Sequence, residues 1–212
     1  QYISGNHWQG IYVSASDNTY IGESNSIGVA VDSATPVGNG LQGVLVNESI
    51  NSTIVPFAVV SNGGSGVALT GPDSQNDKIL PTWVRTNAGL PIDLGDDGAT
   101  ANDPGDGDGG PNTLLNYPVI TSYAGSVITG TACVNCTVLI YAVSGNPAAS
   151  YGGGFEIQSA VANGTGQWSA SLIGGLHHLD VSLVACWSTC GLTSNTSEMS
   201  PRPILFLPLV RR

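Results

Sequence analysis

Asn39-Gly40-Leu41-Gln42-Gly43-Val44-Leu45-Val46 is the stretch that decides the fold, because its pattern returns along the first half of the chain. An asparagine is followed four residues later by glycine, and then by a triplet whose outer positions are apolar. The same order follows Asn6, Asn62 and Asn87, although Pro91 takes the place of glycine in the last copy. Self-similarity at intervals of roughly 23 to 33 residues is typical of proteins built from stacked repeats. The sequence therefore predicts an internal repeat.

The copies predict columns of equivalent residues. Within each copy apolar residues alternate with small polar ones, as a strand with one buried face requires. If the copies stack as parallel strands about 4.8 Å apart, identical side chains form ladders. The predicted columns are Ile11, Val44, Val67 and Ile92; Val13, Val46, Leu69 and Leu94; Ile21, Ile54 and Ile79; and a second asparagine series, Asn18, Asn51 and Asn76.

The leading asparagines and the glycines have separate expected roles. We expect the four leading asparagines to hydrogen-bond to one another across the stack. We expect Gly10, Gly43 and Gly66 to occupy corners that need a positive φ, which glycine adopts readily. Pro91 cannot adopt that conformation, so the last copy must turn differently. The alternative is that Asn and Gly recur only because turn residues are common in any β-protein.

The pattern divides the chain into two predicted domains. Residues 1–117 are interpreted as coils of a short parallel β-helix, with an excursion or extra partial coil at 22–38. From Pro118 the repeat stops, and short alternating strands with glycine turns predict an antiparallel β-sandwich over 118–212, with Trp168 in its core. We expect the strands of the sandwich at 119–122, 127–131, 137–142, 167–172, 179–186 and 198–202.

Composition argues against several classes of partner. The chain of 212 residues carries a formal net charge of -10, and only 9% of its residues are charged. Nucleic acid and anionic membrane surfaces are therefore not expected as partners, whereas cations are. No stretch approaches the roughly 20 apolar residues that span a bilayer, so we expect no membrane span.

The acidic segment at residues 93–112 is the candidate metal site and the predicted cap of the last coil. Alternating carboxylates and glycines let several oxygen atoms converge, and calcium takes six to eight oxygen ligands. The predicted ligands are Asp93, Asp96, Asp97, Asp103, Asp106 and Asp108. Structural Ca2+ is one interpretation, and a solvated acidic loop without metal is the other.

Cysteines and glycosylation sequons favour an extracellular or cell-surface location. Two close pairs predict local disulfides, Cys133–Cys136 and Cys186–Cys190, because export and the position of each pair at one loop favour oxidation. The alternative is a redox pair or a four-thiolate zinc site. Sequons for N-glycosylation begin at Asn47, Asn51, Asn135, Asn163 and Asn195.

One resemblance covers most of the chain. The stretch from Asn87 to Asn112, followed by Asn116-Tyr117-Pro118-Val119, is similar to a stretch of large bacterial surface proteins. In those proteins a right-handed parallel β-helix ends in an Asp/Gly-rich segment and is followed by an immunoglobulin-like module. Gly166-Gln167-Trp168 and the segment 195–200 resemble strands of that module. The resemblance implies an all-β fold, a short right-handed parallel β-helix followed by an Ig-like antiparallel β-sandwich, and a cell-surface setting, but no reaction.

Assembly is the leading functional hypothesis. The repeat is already running at Ile3-Ser4-Gly5-Asn6, and an uncapped stack exposes backbone groups and an apolar cross-section. Either the chain is a fragment of something longer, or a neighbour covers that end. Strand addition from head to tail yields open polymers. The protein is therefore expected to be a non-catalytic extracellular structural protein, a homo-oligomer or polymer that forms a surface filament or coat. The apolar C-terminal tail is the candidate contact, through Ile204, Leu205, Phe206, Leu207, Leu209 and Val210.

A carbohydrate-active β-helix is the alternative. Lyases of that fold pair a calcium cluster with a base, and the first half offers only Lys78 and Arg85 as such bases. Contact with glycans belongs to this alternative, because aromatic side chains stack on sugar rings. The candidate aromatic residues are Trp8, Tyr12, Tyr20 and Trp83. We expect no catalytic residues.

Overall fold

The computed structural model describes residues 1–80, 82–143, 154–172, 181–186 and 195–201. These residues form an all-β protein, as the sequence predicts, with one short 3-10 helix at Pro111–Leu114. The strands of the first half are β1 Tyr2–Ile3, β2 Ile11–Ser14, β3 Tyr20–Ile21, β4 Ser26–Ile27, β5 Val44–Asn47, β6 Thr53–Ile54, β7 Ala58–Val60, β8 Val67–Thr70, β9 Lys78–Ile79, β10 Trp83–Arg85 and β11 Ile92–Leu94. The strands of the second half are β12 Val119–Ala124, β13 Val127–Thr131, β14 Thr137–Val143, β15 Gly154–Val161, β16 Gln167–Ser171 and β17 Val181–Cys186.

The first eleven strands visit three parallel sheets in rotation. Sheet A contains β1, β4, β7 and β10, sheet B contains β2, β5, β8 and β11, and sheet C contains β3, β6 and β9. Neighbouring strands among these are parallel, and none pairs with the strand that follows it in the chain. Each passage of the chain therefore adds one strand to each sheet in turn.

The register of the parallel strands confirms the predicted columns. Val44 pairs with Ile11 on one side and with Val67 on the other, and Val67 pairs in turn with Ile92. The other two apolar columns keep their predicted register as well. Val44, Val67 and Ile92 are fully buried, and the columns meet in one apolar core. Alternation with a period of two residues fixes which face of each strand joins that core.

The leading asparagines form the predicted hydrogen-bonded ladder. The side-chain amide of Asn6 donates to Asn39 Oδ1 at 2.8 Å, that of Asn39 donates to Asn62 Oδ1 at 2.8 Å, and that of Asn62 donates to Asn87 Oδ1 at 2.9 Å. Each accepting oxygen also takes the backbone N–H of the preceding asparagine. The ladder therefore has a direction, with every Oδ1 facing the earlier copy.

The expectation that the glycine column needs positive φ is wrong. Gly10, Gly43 and Gly66 do not adopt positive φ. The left-handed conformation belongs instead to the second asparagine series, with φ values of 58°, 61° and 59° at Asn18, Asn51 and Asn76. Asparagine tolerates this region better than most residues, because its short polar side chain bonds locally.

Close packing explains the glycine column. A Cβ atom added to Gly43 would lie 2.4 Å from Val59 Cγ1 and 2.8 Å from the amide nitrogen of Asn62. The ladder asparagine of the next copy therefore occupies the space that a side chain would need. Pro91 stands in this column in the last copy, beyond which none of the described strands stacks on sheet B. Pro91 is tolerated at this position because no described copy packs against it.

The excursion is shorter than predicted. Within the stretch 22–38, β4 joins sheet A, and the departure from the stack is limited to residues 28–37, whose ends Gly28 and Val37 stay hydrogen-bonded to the backbone of Ile3 and Gly5. These residues form a hairpin, hereafter the 28–37 hairpin, held by an antiparallel bridge between Val29 and Pro36. Its turn is fixed by the carboxylate of Asp32, which accepts hydrogen bonds from the backbone N–H groups of Ala34 and Thr35.

The second half contains antiparallel strands. β12, β13 and β16 form a separate sheet, sheet D, whereas β15, β14 and β17 extend sheet A beyond β10. The strand predicted at 127–131 is confirmed with its bounds, and those predicted at 119–122, 137–142, 167–172 and 179–186 are confirmed within two residues at each end. β15 was not predicted, and the stretch described up to residue 201 has no strand at 198.

β14 and β17 are buried on both faces. Val138, Ile140 and Leu183 pack against the strands of sheet D, together with Trp168, which is in the core as predicted. Tyr141 on β14, like Val184 on β17, packs instead into the core of the parallel sheets. The almost continuous apolar run of β14 is typical of a strand covered on both sides, not of a half-exposed one.

Candidate functional site

The last strands of the three parallel sheets are all covered, and their covering is the main site in the molecule. On sheet A, β10 pairs with the antiparallel strand β15. On sheets B and C the partners are side chains of residues 195–200, hereafter the closing segment, and of Asn112. Backbone groups at a sheet edge otherwise invite pairing with another chain. Here side chains form the hydrogen bonds to the backbone that a further strand would otherwise form.

The closing segment accepts hydrogen bonds from β9 and its flank. The backbone N–H of Asn76 donates to Asn195 Oδ1 at 2.7 Å, and that of Ile79 donates to Thr196 Oγ1 at 3.0 Å. Between them, Asp77 N–H donates to Asn112 Oδ1 at 2.9 Å, and the amide of Asn112 donates to the carbonyl oxygen of Asp77 at 2.7 Å. Asn112 thus imitates the backbone of a neighbouring strand.

Glu198 covers sheet B. Its side chain is 2% exposed, and Oε1 accepts the backbone N–H of Leu94 at 3.0 Å. Oε2 accepts the backbone N–H of Thr100 at 3.0 Å. Burial raises the pKa of Glu198 to about 7, although these hydrogen bonds oppose the rise; the nearby carboxylate of Asp93 adds to it. A buried carboxylate that takes several N–H donors is well placed to hold two chain segments together.

Asp77 is a second buried carboxyl group at this end. It is fully buried, and Oδ1 accepts the backbone N–H of Ser52 at 2.7 Å, whereas Oδ2 has no donor. Burial raises its pKa to about 6, with a smaller contribution from Asp17. Sequence reasoning missed both Asp77 and Glu198. The signal for Asp77 was present, because it occupies the register position of Ser52, where a charge is unexpected.

The acidic segment brings together three of the six predicted metal ligands. One carboxylate oxygen from each of Asp103, Asp106 and Asp108 lies within 4.8 Å of the others. Asp106 Oδ1 accepts the backbone N–H of Asn116 at 2.7 Å, and Oδ1 of Asp108 is buried without a donor. Burial raises the pKa of Asp106, and the charges of Asp108 and Asp103 raise it further against the hydrogen bond from Asn116. This oxygen-rich cluster suits a hard cation.

Two asparagines fix the shape of that cluster. Asn102 donates to the carbonyl oxygen of Tyr117 at 2.8 Å and accepts its N–H at 3.0 Å. Asn116 in the same way donates to the carbonyl oxygen of Asp103 at 2.9 Å and accepts its N–H at 3.0 Å. The acidic loop is therefore fastened to the chain that leads into β12.

The other three predicted ligands lie elsewhere. Asp93 is 3% exposed on β11, and its Oδ2 accepts the hydroxyl of Ser65 at 2.9 Å. Burial raises the pKa of Asp93, with additional contributions from Asp96 and Asp97. Asp96 accepts the side-chain amide of Gln42, and Asp97 is exposed. The six aspartates therefore do not form one site.

The cysteines and sequons have mixed environments. Cys133 and Cys136 form a disulfide, with Cα atoms 5.3 Å apart. Cys186 is buried and also disulfide-bonded, while its predicted partner Cys190 lies outside the described residues. Among the sequon asparagines, Asn135 and Asn163 are exposed, whereas three are half-buried: Asn47, Asn51 and Asn195.

Asn195 is poorly placed for a glycan. Its oxygen accepts the N–H of Asn76, and its amide donates to Thr113 Oγ1 at 3.3 Å. A sugar on that amide would displace the contact with Thr113. The predicted apolar contact at residues 204–210 lies outside the described part of the chain.

Neither the models of known protein families nor the curated proteins match this chain. Over the ranges that the structure describes, there is no helix with the length and apolar character needed to cross a bilayer.

Proposed function

We propose that the chain is a non-catalytic extracellular structural protein that assembles by adding strands to the free edges of its parallel sheets. In this proposal the three sheets are the faces of a short right-handed parallel β-helix, and the antiparallel strands form an Ig-like sandwich. The observation that carries the proposal is the contrast between the two ends of the stack. The end at β9, β10 and β11 is covered, whereas β1, β2 and β3 have no further strand beside them within the described residues.

The free edges are suited to accept another strand. A parallel edge strand leaves alternate backbone N–H and C=O groups unpaired. Because every ladder oxygen faces the earlier copy, Asn6 presents its Oδ1 at this end, with no described asparagine to fill it. A backbone N–H of an incoming strand would supply one of the two hydrogen bonds that join the inner copies. Large exposed aromatic side chains surround the edge, namely Tyr2, Trp8, Tyr12 and Tyr20.

Head-to-tail addition gives a filament because the two ends of the stack differ. A contact between unlike surfaces does not close on itself unless its rotation forms a ring. We propose that the apolar residues 204–210 of one copy supply the added strand to the free edge of the next. Backbone hydrogen bonds would provide affinity, and the exposed aromatic side chains around the edge would cover the apolar side chains of residues 204–210.

Structural Ca2+ belongs to the same proposal. Asp103, Asp106 and Asp108 would hold the ion, and the donor-free oxygen of Asp108 fits that role. The cation would offset the mutual repulsion of three carboxylates in the loop that joins the parallel sheets to β12. The disulfide at Cys133–Cys136 supports an oxidising, extracellular setting.

Analytical ultracentrifugation over a concentration series tests the assembly. Val13 faces the core on the edge strand β2, so Val13→Lys places a charge on the free end of the stack. Val161 is 66% exposed on β15, and Val161→Lys is the matched control. We expect assembly of the wild-type chain and of Val161→Lys, and loss of assembly in Val13→Lys that still melts cooperatively. A wild-type chain that stays monomeric throughout would contradict the proposal.

A further inference from the structure

A groove of about 490 Å³ opens on the outer face of sheet A, between the 28–37 hairpin and strand β10. Its wall on one side is the hairpin, including Ser33. On the other side stand Trp83 and Arg85, which alternate with the buried Val84 and so both face outward from the stack. The irregular interval in the repeat therefore builds one wall of this groove.

The floor of the groove is aromatic and apolar. Trp83 packs against Val29, Ala58 and Val60, and Phe57 beside it is 43% exposed. The indole N–H of Trp83 is shielded from solvent and has no acceptor. Because a ligand atom cannot reach a shielded donor, the exposed ring of Phe57 is the aromatic surface that the groove offers to a ligand.

Arg85 gives the groove a positive charge. The centre of its guanidinium group lies 4.4 Å from the centroid of the Trp83 ring. Among the described residues it forms no ion pair, although the chain has a formal net charge of -10. The nearest acidic group on the hairpin, Asp32, already accepts hydrogen bonds from Ala34 and Thr35. The guanidinium group thus lies over an aromatic ring with its donors available for an anion.

Hydroxyl groups line the rest of the groove. Ser61 Oγ lies 3.2 Å from Thr86 Oγ1, and Ser33 Oγ lies 3.0 Å from the phenol oxygen of Tyr2. Each hydroxyl has two lone pairs and one proton, so these pairs keep hydrogen-bonding capacity for a ligand. Such a surface suits a ligand rich in hydroxyl groups.

We propose that this groove binds an acidic saccharide, through the carboxylate of a uronic acid unit. The C–H face of the sugar ring would stack on Phe57, and its carboxylate would bind the guanidinium group of Arg85. Ring hydroxyls would bond to Ser61 and Thr86. A neutral sugar lacks the carboxylate, and a simple anion lacks the stacking face. This site is independent of the proposed assembly.

Isothermal titration calorimetry of the full chain with trigalacturonate tests the inference. We expect saturable binding that weakens as salt is raised, with maltotriose and acetate each at least tenfold weaker. Arg85→Gln and Phe57→Ala are each expected to weaken trigalacturonate binding about tenfold or more, because one loses the charge and the other the stacking ring.

Two controls separate this site from general effects. Lys78→Gln removes the same charge from sheet C, and Trp8→Ala removes an aromatic ring that is 65% exposed outside the groove. Both are expected to bind within twofold of the wild type. Absence of saturable binding, equal binding of maltotriose, or an equal loss in Lys78→Gln and Arg85→Gln would overturn the inference.

Discussion

Glu198 and Leu94 are joined by a hydrogen bond of 3.0 Å across 104 residues of sequence, from the backbone N–H of one to the buried carboxylate of the other. The same carboxylate holds the backbone of Thr100. The closing segment therefore covers the last strand of sheet B through one acidic side chain. This contact makes the two ends of the parallel stack different, and the difference underlies the proposed head-to-tail assembly.

Replacement of Glu198 tests the closing segment. Glu198→Ala would leave the backbone N–H groups of Leu94 and Thr100 buried without an acceptor, so we expect a loss of about 2 to 4 kcal/mol in the free energy of unfolding. Urea denaturation measures it. Glu48→Ala, at a half-buried glutamate on the side of the stack, is the control and should cost about 1 kcal/mol or less. Equal losses would show that Glu198 has no special role.

The raised pKa values predict a stability that falls as pH rises. A carboxyl group with a higher pKa in the folded protein binds more protons than in the unfolded chain, so stability decreases between the two values. For Asp77 that window runs from 3.8 to about 6, and for Glu198 from 4.5 to about 7. Asp77→Asn removes the first group and should flatten the lower part of the profile, with a gain on the order of 2 kcal/mol at pH 8 after allowance for solvent screening.

The free energy of unfolding in urea, measured from pH 4 to pH 8, tests the pH ranges of both Asp77 and Glu198. Asp73→Asn, at an exposed aspartate, is the control and should keep the wild-type profile. A wild-type stability that rises through this range would contradict the raised pKa values.

Gly43 in the glycine column predicts a steric cost that Gly164, outside the column, does not share. Gly43→Ala would push a methyl group to 2.4 Å from Val59 Cγ1, so we expect a loss of about 2 kcal/mol or more. Gly164 has open space around its Cβ position, and Gly164→Ala should change stability by about 0.5 kcal/mol or less. Thermal melts of both variants compare them directly. An unchanged melting temperature in Gly43→Ala would show that the copies are stacked less closely.

Calcium should raise the melting temperature through the Asp103, Asp106 and Asp108 cluster. A ligand that binds only the folded state stabilises it in proportion to the logarithm of its concentration above Kd. We expect a higher melting temperature in millimolar Ca2+ than in chelator, and loss of most of that shift in Asp108→Asn. Asp97→Asn, outside the cluster, should keep the shift. A shift that is absent in the wild type, or retained in Asp108→Asn, would contradict a metal at this site.

The repeat could be predicted from the sequence because its pattern lies within short stretches of the chain. The spacing from Asn39 to Val44 returns in each copy, and the alternation of apolar residues fixes both the faces and the register. The wrong explanation of Gly43 has a simple cause. Positive φ and close approach both favour glycine, and only the position of the next Asn ladder side chain distinguishes them.

The closing segment and the groove were not predictable, because they depend on contacts between distant residues. Glu198 looks like an ordinary surface residue until Leu94 and Thr100 are placed beside it. The signal for β15 was present, because Phe155 and Ile157 alternate with Glu156 and Gln158 as in a half-buried strand, and pairing with β14 fixes this strand in sheet A. Six clustered aspartates suggested one metal site, and the turn of the chain after β11 separates them into two groups.

Electron microscopy of the purified full chain tests the central claim most directly. The account predicts filaments in which residues 204–210 of one subunit lie as a strand beside a free edge of the next, at β1, β2 or β3, at the same spacing of about 4.8 Å as inside a subunit. Single particles of one chain each at every concentration, or assemblies joined through another surface with those edges left bare, would contradict it.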